Sequence, residues 1–367
     1  MELTREEKIA KRRKVKRNRN ILFTCMFLLL IFMTTATVFL LISYQNEKNK
    51  AEEAMNQKAE IEQQYITKEQ AEALAAEQFE KAKEETSAEY LNKIQTMMEN
   101  GDGTLTLLET LYPEKIVVPD SGRYYFFEYS ETLEKNNYLT ENFTFPVLNE
   151  ETDEYEGEAY YQENGEVTSH KGIDVSKFQG DINWKKVAGD GVEFAYIRLG
   201  YRGYESGKIV TDEKYEDNIS GCNSAGIDTG VYFFTEAKTK AEGIEEAKYV
   251  LEEIDGYRID LPIVIDVEQS ASKDNSRTKD LTAAERTEAV IAFCETIKEA
   301  GYEPMIYGNL KSMMLMLDME QLEEYDKWFA YYHYPIRFPY KYRVWQYTAS
   351  GDVDGIKGDT DLNIAFY

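Results

Sequence analysis

The stretch LPIVIDVE, residues 261–268, decides how this chain is read. An apolar run stops at two acids, Asp266 and Glu268, spaced two residues apart. The run reads as a strand. On a strand, residues i and i+2 face the same side, so the two carboxylates project together, roughly 7 Å apart by strand rise. Ile263 and Ile265, just before them, are expected as packing positions.

Similar runs flank this one on both sides. GIDVS (172–176), EFAYIRLG (193–200), DTGVYFFT (228–235) and PMIYGN (304–309) are strand-like. Amphipathic stretches lie between them. Tyr215, Ile219, Cys222 and Ala225 make one apolar stripe, and Ile244, Ala247, Leu251 and Ile254 another. Thr239-x-x-Glu242 and Thr282-x-x-Glu285 are capping-box patterns at helix starts. This alternation predicts a parallel α/β sheet. After Trp328 the helices cease: KWFAYY, YRVWQYT and TDLNIAFY are three strands without a helix-length segment between them. Residues 169–367 number 199. That is short of the roughly 250 typical of eight full βα units. A barrel of five βα units followed by three nearly bare strands fits the shortage.

In parallel barrels the working residues stand at the C-terminal ends of strands. Four acids qualify: Asp174, Asp266, Glu268 and Asp361. Taken alone, such acids fit three roles: loop caps on backbone amides, a divalent-metal site, or a glycosidase pair. In the third role, two neighbouring carboxylates in a partly desolvated site cannot ionise equally, so one stays protonated as an acid while the other stabilises positive charge. Tyr196, Tyr232, Tyr307, Tyr331, Trp345 and Tyr347 lie within or at the ends of strands, where their rings suit either a core or sugar faces. The chain has only two histidines, His170 and His333, too few for a His-rich zinc site or a readily built triad. Its three cysteines, Cys25, Cys222 and Cys294, show no C-x-x-C spacing. Cys222 and Cys294 fall on helix stripes and read as small buried residues, a disulfide between them being the alternative. The net charge of −26 argues against nucleic acid as a partner.

The N-terminus has a different texture. Residues 1–20 hold nine Lys/Arg against three Glu, a basic cytoplasmic tail by expectation. Residues 21–42, ILFTCMFLLLIFMTTATVFLLI, carry no charge. As a helix they would span about 33 Å, enough to cross a bilayer. The run exceeds a signal-peptide core and no A-x-A-like site follows it. An uncleaved anchor is expected, with the N-terminus inside the cell and everything after Ser43 outside. Residues 46–100 contain neither Pro nor Gly and read as a solvated helical stalk. Its stripe Tyr90, Leu91, Ile94, Met97 and Met98 would pack on a partner stalk, giving self-association, or on the next domain. Residues 104–168, with RYYFFEYS, ENFTFPVL and EAYYQENGEV, read as a small acidic aromatic β-rich segment, packed on the barrel or free to bind the wall.

GIDVSKFQGDINW (172–184), EFAYIRLG, GVYFF (230–234), PIVIDVE, PMIYGN, VWQYT (344–348) and DTDLN (359–363) occur in an order that resembles the glycoside hydrolase family 25 lysozymes. The resemblance covers about 171–367. It implies a (β/α)5β3 TIM-like barrel and an N-acetylmuramidase, which hydrolyses the β-1,4 bond from N-acetylmuramic acid to N-acetylglucosamine with retention and needs no metal or other cofactor. By motif, Glu268 looks like the general acid and later the base. Asp266 looks like its partner, as a nucleophile or as the group that orients the substrate acetamido. Asp174 and Asp361 complete the acidic pocket. Arg198, Tyr232, Tyr307, Trp345 and Gln346 are candidates for shaping sugar subsites. Phe233 stands where many members carry histidine, and KDNSRTKD (273–280) is an insertion beside the cleft. The reading is a membrane-anchored hydrolase acting on peptidoglycan glycan strands outside a bacterial cell. A catalytically silent wall-binding scaffold is the alternative, which the presence of all four acids disfavours.

Overall fold

The computed structural model describes residues 48–50, 65–85, 88–101, 103–149, 154–270, 275–334 and 336–367. The tail 1–20 and the apolar run 21–42 lie outside the described residues. No helix among the described residues is long and apolar enough to cross a membrane.

The chain from residue 65 differs from a continuous stalk. Strands β1 (Tyr65–Thr67), β2 (Lys115–Asp120) and β3 (Arg123–Glu128) form an antiparallel sheet in the order β1-β3-β2. Thr67 then starts the helix Lys68–Glu85: its Oγ1 accepts from the Gln70 amide at 3.2 Å while Gln70 Oε1 accepts from the Thr67 amide at 2.9 Å. A capping box thus breaks the expected stalk, and β-branched and aromatic residues before it favour a strand. Helices Ala88–Glu99 and Thr104–Leu111 follow. Ile94 of the expected stripe is buried within this unit, whereas Met98 is exposed.

Strand alternation explains where the three-stranded sheet sits. Val117 faces one way and packs with Ala71 and Leu108, joined by Tyr124 and Phe126. Ile116, Val118 and Tyr125 face the other way and merge with the core of the C-terminal half. The sheet is therefore covered on both sides, by its own helices and by the barrel.

A strap then runs along the barrel through β4 (Phe143–Thr144), β5 (Val147–Asn149), β6 (Glu154–Glu156), β7 (Tyr160–Glu163) and β8 (Glu166–Val167). Its backbone is pinned by Asn136 N–H to Pro339 O and by Lys341 N–H to Glu134 O, each 2.9 Å. Tyr138 stacks on Phe366, and Phe143 and Phe145 meet Trp345 edge-on. Packing on the barrel, one of the two roles expected of this segment, is what its aromatic side chains do.

The barrel comprises β9 (His170–Val175), β10 (Phe194–Arg202), β12 (Asp228–Phe234), β13 (Ile263–Asp266), β14 (Pro304–Asn309), β15 (Asp326–Ala330), β16 (Val344–Gly351) and β17 (Thr360–Ala365), with β11 (Ile209–Thr211) as a flap on β10. The eight strands close in the order β9-β10-β12-β13-β14-β15-β16-β17 and back to β9. All neighbouring pairs are parallel except those of β17, which is antiparallel to β16 and β9. Helices Trp184–Gly189, Tyr215–Ala225, Lys240–Glu253 and Ala283–Glu299 fill the first four connections. The fifth is a π turn at Ser312–Met316 and a 3-10 turn at Met319–Leu322.

The interior is filled by Phe194, Tyr196, Val264, Met305, Tyr307, Trp328 and Val344. Gly172 and Gly230 make room for two of these rings, since a Cβ there would lie 2.2 Å from Phe194 and 2.3 Å from Tyr196. Ile263 and Ile265 belong to the outer layer under the helices, whereas Val264 shares its parity with Asp266 and faces inward. Cys222 and Cys294 are free thiols buried in their helices.

Candidate active site

The C-terminal ends of the parallel strands and the N-terminal end of antiparallel β17 surround a cavity of about 300 Å3. Asp174 enters it from β9, Arg198 from β10, Tyr232 from β12, Asp266 from the last position of β13, Tyr307 from β14, Gln346 from β16 and Asp361 from β17. Strand β13 stops two residues short of the apolar run that predicts it, so Glu268 lies in the following loop. It still lines the cavity beside Asp266.

Trp345 requires correction. Its neighbour Gln346 points into the cavity, so Trp345 points out of the barrel. There it is fully buried, donates from Nε1 to Tyr331 O at 2.8 Å, and packs under Phe143 and Phe145. Tyr331 is likewise outside, stacked on Phe329, while Tyr332 lines the cavity. Phe233 is buried in the outer layer between the cavity residues Tyr232 and Phe234, so the missing histidine leaves the cavity lining untouched.

A relay of hydrogen bonds fixes Asp174. Trp328 Nε1 donates to Asn363 Oδ1 at 2.8 Å, and Asn363 Nδ2 donates to Asp174 Oδ2 at 2.8 Å. Gln346 Nε2 donates to the same oxygen at 2.8 Å, and its Oε1 accepts from Tyr307 at 2.8 Å and Tyr332 at 2.6 Å. Two amide donors favour the carboxylate form of Asp174. Burial still outweighs them and pushes its pKa up to about 6.

The other three acids lack such support. Burial pushes Asp266 well above the usual carboxylate range, helped by the charges of Glu268 and Asp174 and opposed by Arg198. Its buried Oδ1 has no hydrogen-bond partner among the described residues. Glu268 rises to about 7, first from burial and then from Asp174, against a long 3.5 Å contact from Asn309 Nδ2. Asp361 stands opposite Asp174 in the β17–β9 register and rises to about 8, from burial first and then Asp174 and Glu268. Arg198 offsets little of this, because its Nε and Nη2 are held by Asp212 at 2.7 and 2.6 Å. Its guanidinium lies over the Phe178 ring, 5.1 Å from the centroid. Phe178 is 76% exposed at the mouth.

Chemically, the cavity holds several carboxyls with separated proton affinities and an aromatic floor. It can donate a proton and stabilise positive charge a few ångströms away. Trp328, Tyr332, Phe178, Asp212, Asn309 and Asn363 are additions to the expected set. The parity of Trp328 with Tyr332 in KWFAYY was a usable signal for two of them.

The profile of Glycosyl hydrolases family 25 matches residues 173–356. The chain is 28% identical over 201 residues to the uncharacterized protein YegX of Escherichia coli K12, across 53% of this chain and 68% of that protein. It is 28% identical over 204 residues to Lysozyme M1 of Streptomyces globisporus, across 53% and 66%. Among solved structures, the modular autolysin LytC of Streptococcus pneumoniae superposes with a TM-score of 0.50 at 26% identity, over 68% of this chain and 57% of that one. The chain thus spans little more than half the length of that autolysin.

Proposed function

Since the chain belongs to glycosyl hydrolase family 25, we propose that this cavity hydrolyses peptidoglycan, cutting the β-1,4 bond from N-acetylmuramic acid to N-acetylglucosamine with retention. The observation that carries the reading is the set of four carboxyls in one cavity, with Glu268 poised at about 7. A protonated Glu268 gives its proton to the glycosidic oxygen as the bond to the anomeric carbon breaks. The neighbouring pair shares one proton; with that proton on Glu268, the ionised Asp266, with an unpartnered buried oxygen, supports the positive charge at that carbon, either directly or through the substrate acetamido. Deprotonated Glu268 then takes a proton from water, which adds to the same face. Burial first, and then the charge of Asp174, keeps these proton affinities high, while Asp361, itself protonated up to about 8, lines the cavity opposite Asp174. Trp328 offers a ring at the floor. Lysozyme M1 and the LytC autolysin support this choice of substrate by their names.

The basic block 11–20 followed by the uncharged run 21–42 supports anchorage in a bacterial membrane with the barrel outside. In that place the enzyme trims wall close to the membrane. Mass spectrometry of muropeptides from purified peptidoglycan tests the chemistry: reducing muramic acid ends are expected, and reducing glucosamine ends or no product would refute it. Protease added to intact protoplasts tests the topology. It should remove the barrel and spare a small N-terminal fragment; a protected barrel would reverse the orientation.

A further inference from the structure

The hairpin Lys115–Glu128 reaches the barrel at its catalytic mouth. Its turn, Ser121-Gly122, lies in the left-handed region at φ of 50° and 76°, which makes the hairpin tight and presents Asp120 at the tip. Asp120 Oδ1 accepts from Lys311 Nζ at 2.5 Å. The same ammonium donates to Gln269 Oε1 at 2.6 Å. Gln269 is the residue next to Glu268. Two residues before Lys311, Asn309 donates to Glu268 Oε1, and its own Oδ1 accepts from the Ser312 amide at 3.0 Å. The short stretch 309–311 therefore grips the Glu268 loop from two points, and the hairpin grips that stretch. The ion pair is partly buried, with the Lys311 and Asp120 side chains 21% and 24% exposed, which spares it much of the screening that weakens surface pairs.

We propose that the hairpin is a positioning element of the active site: through Asp120, Lys311 and Gln269 it fixes the loop that carries Glu268, so that hydrolysis depends on the N-terminal module being docked. The inference rests on Glu268 being the proton donor, as read above. Asp120, Lys311 and Gln269 touch no reacting atom; they act through the Gln269 side chain, one residue beyond Glu268, and through the stretch that carries Asn309. Misplacing a catalytic group by about an ångström can cost about a hundredfold in rate. Glu268 faces Asp174 from β9, Asp266 from β13, Tyr307 from β14, Tyr332 after β15 and Asp361 from β17. Its raised proton affinity comes first from burial, so a loosened loop that admits water lowers it.

The test uses the full chain on peptidoglycan, with Asp120→Asn, Lys311→Met and Gln269→Ala. The expected result is kcat down by about ten- to a hundredfold with KM within about twofold. The alkaline limb of the pH profile should move to lower pH, and Lys311→Arg should retain both kcat and limb. Glu134→Gln is the control. It breaks the 3.1 Å pair with Lys341, another contact between strap and barrel, and should change neither quantity. Wild-type kcat and alkaline limb in folded Asp120→Asn and Lys311→Met would overturn the proposal. So would a loss that follows melting temperature alone, with the limb in place. An inactive wild-type chain, or an active Glu268→Gln, would instead overturn the reading of the site itself.

Discussion

Glu268 and Asp361 are both raised carboxyls, yet removing each has a different consequence. Gln at 268 keeps size and shape but has no proton to give. General acid catalysis contributes about 10²–10⁴-fold, so Glu268→Gln should lower turnover by at least that much with the fold intact. Asp266→Asn should do similar harm because positive charge at the anomeric carbon loses its support. Turnover should fall as pH rises past about 7, where Glu268 loses its proton; a flat profile there would reassign the acid. Asp361 bears on stability. Its proton is held up to about 8 in the fold, against an ordinary value of 3.8. A raised value means the contribution is full below the ordinary pKa and is lost as pH rises through about 8. Asp361→Asn should therefore melt higher than the parent at pH 9 and level with it at pH 4; no gain at pH 9 would mean water relieves this charge. Asp174, Asp266 and Glu268 were legible because they stand where apolar strand runs end, and Asp361 because it opens one. Trp345 and Gln346 look equally plausible from sequence, since only the phase of β16 says which faces the cavity. Asp212 could not be found this way, because its claim rests on a contact with Arg198 across a hairpin.

Among elements, those with a local signal at their ends were readable and those decided by distant pairing were not. Thr282-x-x-Glu285 forms a complete capping box at the helix Ala283–Glu299. At the other pattern, Thr239 caps the Glu242 amide but Glu242 turns to the Lys238 amide and to Arg277. Its box stays half-made because a long-range cation competes for the carboxylate. Thr282→Ala should cost about 0.5–2 kcal/mol in urea unfolding; a change below that would mean the helix is held by packing alone. Strand β1 was illegible as a strand because three residues beside a run of helix formers carry too little periodicity, and its pairing partner is β3, far along the chain. The fifth connection of the barrel becomes π and 3-10 turns. Asn309 takes the first amide there for its own side chain, and Lys311 turns outward to the hairpin.

In the whole molecule, the barrel carries the chemistry and the N-terminal module closes surfaces that the barrel leaves open. Composition marked residues 104–168 as aromatic and acidic but did not say what they cover. The pairs that dock them, Glu109 with Arg337 and Asp120 with Lys311, are separated by about two hundred residues and leave no local pattern. The strap places Tyr138, Phe143, Phe145 and Tyr161 against Tyr342, Trp345 and Phe366. Trp345 is wholly buried and Tyr342 nearly so. Cutting the chain to 169–367 would keep every acid of the cavity and strip that cover. Each large ring so exposed forgoes about 1.5–3 kcal/mol of burial, and the rings adjoin, making an apolar patch of the kind that drives association. The chain 169–367 should therefore melt at a lower temperature than the chain from residue 65, bind a hydrophobic dye and self-associate. Phe143→Ala in the longer chain should move the same way by a smaller step, since Phe143 meets both Trp345 and Phe366. If 169–367 melted as high as the longer chain and stayed monomeric, the strap would be dispensable. The barrel would then be a self-sufficient domain with an aromatic face that water tolerates.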